Sequence, residues 1–358
     1  MSSINTVSTL QLSLTTRKYV AEATQALQDA SQELSTGVKS DIFGDLGARA
    51  AQLLSLRARE DNTQAYISSN EILDSKLQAM LTSVDAVRGQ AQGVLETSLI
   101  NASRPSIGVT ALQGEAKSAM GSIIASLNIT YNGDYLFAGI DSDAQPLTRW
   151  SETNSGTGTS PEAVLQAIVG TGPTTLAEAE DMIDQINAFF DSANADPADN
   201  FEGTFYSGTP LLDGSGAEAP RVTARIDEGQ ALEYGVQAND DGFRDMLKGL
   251  AMLAVTDVSA IENQEVYARW MEEVNDALSG GLEGGLQTSA DIGFNQQVVE
   301  TTQGRLGDLS LVQTTQISNY EGADPYEAAT MVEALQTQLQ ASYSVTARLA
   351  SLSLLNYL

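Results

Sequence analysis

Apolar side chains recur every three or four residues along both flanks of the chain, which is the spacing of one face of a helix. The most regular seam steps by four and three over three heptads, and no proline precedes Pro105. We therefore expect one helix over about residues 48–101, followed by a second over 109–131 that an Asn-Gly turn ends. The expected core of this helical rod comprises Leu73, Leu77, Met80, Val84, Val87, Val94, Leu112 and Ile123.

The C-terminal flank shows the same spacing more weakly. Ile292, Val299 and Leu306 lie seven residues apart, in a segment whose glycines lower its helix propensity. Asp324-Pro325 is typical of a helix start, with an acid at the N-cap and proline in the first turn. Apolar stripes at both ends of the chain need burial, and we predict that they pack against each other or against neighbouring subunits. These seam residues are Leu10, Leu14, Leu27, Leu335, Leu339, Leu349, Leu352 and Leu355.

Turn and strand signals concentrate in the middle of the chain. Residues 135–138 predict a strand, 222–226 and 231–236 predict a hairpin, and Leu176–Phe190 predicts a helix. Helical spacing resumes at Phe243. The sequence therefore predicts a mainly α fold, an elongated rod of long antiparallel helices built from both termini, with a smaller α+β or β-rich domain inserted in the middle.

The middle is also the most acidic part of the chain. The whole chain holds 18 basic and 47 acidic residues, a net charge of −29, and residues 134–243 alone hold twenty acidic residues against three basic ones. Phosphate backbones and anionic lipids would repel such a chain, so we expect no nucleic-acid and no membrane partner. No stretch is apolar enough to span a bilayer, and no cleavable signal pattern precedes Arg17, so we expect any export to use another route.

Composition also excludes most catalytic chemistry. The chain has no cysteine and no histidine, which removes thiolate nucleophiles, histidine acid–base catalysis and Cys/His metal sites. Asp141, Asp143, Gln145 and Glu152 have the spacing of a calcium-binding loop, but Pro146 stands where that loop needs glycine.

The remaining candidate residues are better explained by packing. The acids Asp240 and Asp241 fit a helix N-cap, and Trp150 and Trp270 fit the hydrophobic core. We therefore predict no catalytic, cofactor-binding or metal site, and expect a protein that is not an enzyme.

Four stretches carry a family resemblance. They are the start at residues 1–8, the turn ELSTG with DIFGDLGAR over 33–49, the block NGDYLFAG over 132–139, and the end LSLLNYL over 352–358. On these motifs the chain resembles the flagellin superfamily and, within it, the flagellin-like hook-associated proteins of the FlgL type, which form the junction between the flagellar hook and filament.

The resemblance implies a structural role in the bacterial flagellum. The terminal helices would pair into an inner coiled-coil layer that becomes ordered on stacking, and the acidic middle would project outward. About eleven copies would form a ring between the hook-side hook-associated protein and flagellin, after type III export with a flagellar export chaperone. The implied segments are 1–45 and 324–358 for the inner coiled coil, 46–140 and 243–323 for the helical rod, and 141–242 for the outer domain.

Two alternatives stay open. A divergent flagellin would form the filament itself, although the NGDYLFAG block and the C-terminal motif argue against it. A secreted binding protein or adhesin would use the acidic middle to recognise a ligand, and would be a stable monomer.

Overall fold

The computed structural model describes residues 9–103 and 109–355, and all of their side chains except those of residues 9, 10, 12, 13 and 349–355. The described chain is mostly helical, and none of its helices combines the length and apolar character that a bilayer crossing requires. The helices are α1 (Thr9–Thr36), α2 (Ile42–Leu46), α3 (Ala50–Ile100), α4 (Val109–Leu127), α5 (Pro161–Val169), α6 (Leu176–Phe190), α7 (Phe201–Thr204), α8 (Asp241–Val255), α9 (Gln264–Glu321) and α10 (Pro325–Leu355).

Short strands in two antiparallel hairpins complete the described part. They are β1 (Thr130–Tyr131) with β2 (Asp134–Tyr135), and β3 (Thr223–Asp227) with β4 (Gln230–Glu233). This architecture confirms the predicted mainly α fold with a small β part.

Local sequence signals determine α6 and α3 closely. α6 begins and ends at the predicted residues. Its start is determined by a capping box of Thr175 and Glu178, in which each side chain accepts a hydrogen bond from the other residue's N–H. Hydrogen bonds from Thr174 and Thr175 also lower the pKa of Glu178. α3 spans Ala50–Ile100, close to the predicted range.

α4 is shorter than the predicted helix over 109–131. It ends at Leu127, and the side chain of Asn128 then pairs with the backbone of Leu147 through two hydrogen bonds of 2.8 Å. This side-chain pairing favours the end of the helix, because asparagine side chains compete with the helical hydrogen bonds of the backbone.

α9 runs through the glycines that weaken its sequence pattern. It begins at Gln264 and continues for 58 residues through Gly293, Gly304 and Gly307. The glycines cost helix propensity, but tertiary packing of the remaining side chains overrides a penalty of about 1 kcal/mol per glycine.

The predicted Asn-Gly turn closes the first hairpin. Asn132 and Gly133 have φ angles of 54° and 97°, as in a type I′ turn. The strand predicted over 135–138 is wrong beyond Tyr135. The chain leaves the hairpin there, and Phe137 enters the core, where its ring meets Phe243 edge to face with centroids 6.1 Å apart.

The second predicted hairpin is confirmed. β3 and β4 pair from Thr223 with Glu233 to Asp227 with Gln230, with a bulge between Arg225 and Asp227.

The chain divides into two compact units, which we call unit 1 (residues 1–65 and 306–358) and unit 2 (residues 66–305). One continuous hydrophobic core fills unit 2, and the acidic middle contributes to it with aromatic rings such as Phe189 and Phe201. The residues predicted for the core of the long helices all lie in this core: Leu73, Leu77, Met80, Val84, Val87, Val94, Leu112 and Ile123.

Candidate assembly surface

α1 and α10 pack against each other along one apolar stripe within unit 1. The stripe consists of Ala23 and Ala30 from α1 and Leu335 and Leu339 from α10, all more than nine-tenths buried. Because α1 presents alanines here, the leucines of α10 can approach its backbone closely. Helices α1 and α10, which are far apart in the sequence, therefore form one pair.

The residues predicted to pack between subunits have different positions in this pair. Leu335 and Leu339 contact α1 of the same chain, and Leu27 is half-buried beside them, whereas Leu14 is 57% exposed. The side chains of the other predicted seam residues lie outside the described part of the structure. They are Leu10, Leu349, Leu352 and Leu355.

The outer faces of the α1–α10 pair carry large apolar side chains in solvent, since each helix can bury only one stripe against the other. These residues are Leu14, Tyr19, Leu34, Tyr326, Met331, Tyr343 and Val345. These exposed apolar side chains make the pair a candidate surface for binding another protein.

The turn after α1 and the turn before α10 are hydrogen-bonded to each other. The N–H of Lys39 donates to the carbonyl of Glu321 at 2.8 Å, and the N–H of Ala323 donates to the carbonyl of Gly37 at 2.9 Å. We call this pairing of residues 37–39 with 321–323 the joint. It holds the adjoining ends of α1 and α10 side by side.

An ion pair reinforces the joint. Arg57 of α3 donates from Nε to the Glu321 carboxylate at 2.7 Å, and a second guanidinium nitrogen lies 2.6 Å from the same oxygen. The hydrogen bond from the guanidinium to the carboxylate raises the pKa of Arg57.

Polar side chains join α3 to α9 within unit 1. Thr63 of α3 and Ser310 and Gln313 of α9 are buried. Gln64 donates to the Ser310 hydroxyl at 2.8 Å, and that hydroxyl donates to Glu60 at 3.3 Å. The sequence offered one signal for this seam, because the seven-residue apolar spacing on this helix arrives at glutamine in position 313.

The block over residues 132–139 is built into unit 2. Phe137 is fully buried, and Gly139 has a φ angle of 75°. A Cβ atom at Gly139 would lie 2.6 Å from the side chain of Gln237 and 2.7 Å from that of Thr209. The block therefore connects α4 tightly to the acidic middle, and residue 139 must be glycine for both steric and conformational reasons.

The acidic residues with the calcium-like spacing are not gathered into one group. Asp141 accepts a hydrogen bond from the Thr209 hydroxyl at 3.3 Å. Among the described residues, no three or more acidic side chains are grouped so that they could hold a metal ion.

Asp240 stands at the N-cap of α8, as predicted, but its carboxylate does not cap the helix. It instead accepts from Arg221 at 2.6 Å and from the N–H of Gln237 at 2.9 Å. Burial raises the pKa of Asp240, against the opposite influence of these two donors. Trp150 and Trp270 are buried as packing residues.

The fold and these surfaces define a helical structural protein whose two ends pair with each other. Comparison with family profiles agrees with this description. The profile for the bacterial flagellin N-terminal helical region matches residues 7–142, and that for the C-terminal helical region matches residues 284–358. The chain belongs to the flagellin family and is a structural protein of the bacterial flagellum, which confirms the flagellin resemblance of the sequence.

Solved structures with a similar chain fold are distant in sequence. A structure described as a flagellar hook-associated protein of Vibrio parahaemolyticus is 14% identical, with a TM-score of 0.51 over 77% of this chain and 99% of that chain. FlgL of Bacillus cereus is 13% identical, with a TM-score of 0.39 over 74% of this chain and 98% of that chain. No curated protein matches the sequence.

Proposed function

We propose that this chain is the subunit of the hook–filament junction, where about eleven copies form the ring on which flagellin assembles. The observation that carries the proposal is the block over residues 132–139. Its sequence resembles that of the junction proteins. Within it, Phe137 is fully buried, and a side chain at Gly139 would clash with its neighbours.

The surfaces of unit 1 support an assembly role. The outer faces of the α1–α10 pair expose tyrosine, leucine and valine side chains that other subunits could bury. In this proposal the pair packs against further copies, against the hook-side hook-associated protein and against flagellin. Binding gains free energy from apolar burial and loses some to the ordering of the chain ends.

The composition suits the route and the place that we propose. The chain has no cysteine, so it can pass unfolded through a narrow export channel without forming disulfides. We propose type III flagellar export with an export chaperone, followed by a permanent position outside the cell at the hook–filament junction. The fold likeness to a protein described as hook-associated agrees with this position.

Immunogold labelling of intact flagella tests the proposal, with an antibody raised against residues 150–240. We expect a narrow band of gold where the hook meets the filament. Gold along the whole filament would identify a divergent flagellin instead. Flagella without any label would overturn both assignments and would favour the secreted binding protein.

A further inference from the structure

Asn132 and Gly133 form the exposed tip of the first hairpin, at the one place in the chain where glycine follows asparagine. The Asn132 side chain makes no hydrogen bond to any residue in the described part of the chain. A Cβ atom at Gly133 would meet nothing within 4 Å, so the space beside this peptide is open. The amide of Asn132 is therefore accessible and unrestrained.

An asparagine amide that precedes glycine is open to an intramolecular reaction. The main-chain nitrogen of the glycine attacks the asparagine Cγ, and the new C–N bond closes a five-membered succinimide ring. The side-chain nitrogen leaves as ammonia, together with the proton that the main-chain nitrogen gives up. Water then opens the ring at either carbonyl and leaves aspartate or isoaspartate. Glycine favours the attack because no Cβ crowds its nitrogen, and such asparagines are among the thermolabile residues of proteins.

The folded turn slows this reaction without preventing it. Ring closure rotates the main chain between Asn132 and Gly133 out of the type I′ geometry, so the turn must open first. The ladder below the turn has only two residue pairs, which join residues 130–131 to 134–135. So short a ladder opens locally at a small cost in free energy. The structure therefore allows the reaction at the tip while the rest of unit 2 stays folded.

Asn154 provides an internal comparison, because it also precedes a small residue, serine. Its side chain, in contrast, is restrained. The Nδ2 atom donates to the carbonyls of Gly203 and Thr204 at 3.3 and 3.1 Å. The Oδ1 atom accepts a hydrogen bond from the N–H of Gly156 at 2.8 Å. These bonds must break before the Asn154 amide can react, which costs additional free energy.

We propose that Asn132 is a site of spontaneous covalent modification, at which the folded protein forms aspartate and isoaspartate. Either product adds a negative charge two residues before Asp134, whose carboxylate lies 3.8 Å from the ammonium of Lys76 on α3. Isoaspartate also adds a methylene to the main chain, which changes the turn that sets the register of the short ladder. A subunit that stays outside the cell, as in the proposed function, would accumulate both products with age, but the reaction itself does not depend on that function.

Peptide mapping by mass spectrometry tests the site. The purified full chain is incubated in mildly alkaline, isotopically labelled water, either folded or unfolded in guanidinium chloride, and is digested at intervals. Labelled oxygen enters when the ring opens, so it distinguishes this reaction from conversion before the incubation. Fluorescence of Trp150 and Trp270, which are buried in unit 2, verifies that the first sample stays folded.

We expect labelled aspartate and isoaspartate at position 132 of the folded protein, formed about tenfold more slowly than in the unfolded chain. Position 154 should react in the unfolded chain and remain asparagine in the folded one. If position 132 of the folded protein stayed unconverted after the unfolded chain had reacted completely, the proposal would be overturned. Equal conversion of positions 132 and 154 in the folded protein would also overturn it.

A variant separates the effect of the charge from that of the main chain. Asn132→Asp carries the new charge without the extra methylene, and aspartate is compatible with a type I′ turn. Hydrogen exchange over residues 130–135 should therefore be nearly the same in fresh Asn132→Asp as in the fresh protein, and faster in protein that contains isoaspartate. Unchanged exchange in the isoaspartate form would contradict the effect on the hairpin that we assign to the modification.

Discussion

Gly281 lies where α9 passes α8, at a distance that admits no side chain. A Cβ atom at residue 281 would lie 2.6 Å from the main-chain nitrogen of Met246 and 2.8 Å from the carbonyl oxygen of Gly242. These are main-chain atoms, which cannot rotate away, so one helix must move. Gly293, further along the same helix, is the opposite case, because its Cβ would meet nothing within 4 Å. Gly281→Ala and Gly293→Ala are therefore a matched pair.

The magnitudes predict changes of opposite sign. Replacing glycine by alanine gains up to about 1 kcal/mol of helix stability at either position. At 293 this gain stands alone. At 281 it is opposed by overpacking, which costs about 1–3 kcal/mol, and we place the main-chain overlap at or above the upper end of that range. We expect Gly281→Ala to lower the free energy of unfolding by about 2 kcal/mol and Gly293→Ala to raise it by up to about 1 kcal/mol.

Tryptophan fluorescence during urea unfolding measures the effect in the correct part of the molecule. Trp150 and Trp270 are both buried in unit 2, which also holds the two glycines. In thermal unfolding, 1 kcal/mol corresponds to roughly 2–4 °C for a unit of this size. If Gly281→Ala proved as stable as Gly293→Ala, the close approach of α8 and α9 would not be the reason for glycine at position 281.

Three further changes test the packing and the charges. Leu339→Ala should speed amide exchange in α1 by about thirtyfold, the equivalent of about 2 kcal/mol of lost burial, whereas the exposed control Tyr343→Ala should not. Arg57→Met leaves the Glu321 carboxylate unpaired, and hydrogen exchange should show loss of protection at the joint. The pKa of Asp227 is lowered by a hydrogen bond from Arg305. The ion pair therefore stabilises the folded protein at pH values above the unfolded pKa of Asp227, and this stabilisation disappears as the pH falls through the folded pKa. Asp227→Asn should therefore cost about 0.5–1 kcal/mol in urea unfolding at pH 7 and progressively less as the pH is lowered, and a loss that does not change with pH would exclude the ion pair as the cause.

Regular apolar spacing was sufficient to predict the long helices and much of their core. The apolar heptad residues between Leu73 and Val94 are all buried. A helix that buries one stripe of side chains needs apolar residues at a fixed period along its sequence. The capped helix α6 and the Asn-Gly turn were equally predictable, since their signals lie within a few residues of the structure they determine.

The rest of the fold depends on partners far away in the sequence. The early end of α4 follows from a pairing of Asn128 with Leu147, and nothing at position 128 alone indicates it. The strand predicted as far as residue 138 failed because burial of Phe137 outweighed local β preference.

Within the candidate surface, the joint was not predicted, because Arg57 and Glu321 are 264 residues apart. The buried polar side chains of α9 were in principle visible, because the heptad position at 313 is glutamine.

The joint has a consequence for how the polypeptide acquires its structure as it emerges in sequence order. α1 emerges before unit 2, but its partner leucines emerge after unit 2, so α1 has no surface to pack on while unit 2 emerges. Closing so long a loop is entropically costly and slow compared with forming the local helices of unit 2. Unit 2 should therefore fold before the α1–α10 pair, which can form only after α10 is released. The order of emergence itself thus keeps the apolar ends apart until the rest of the protein has folded.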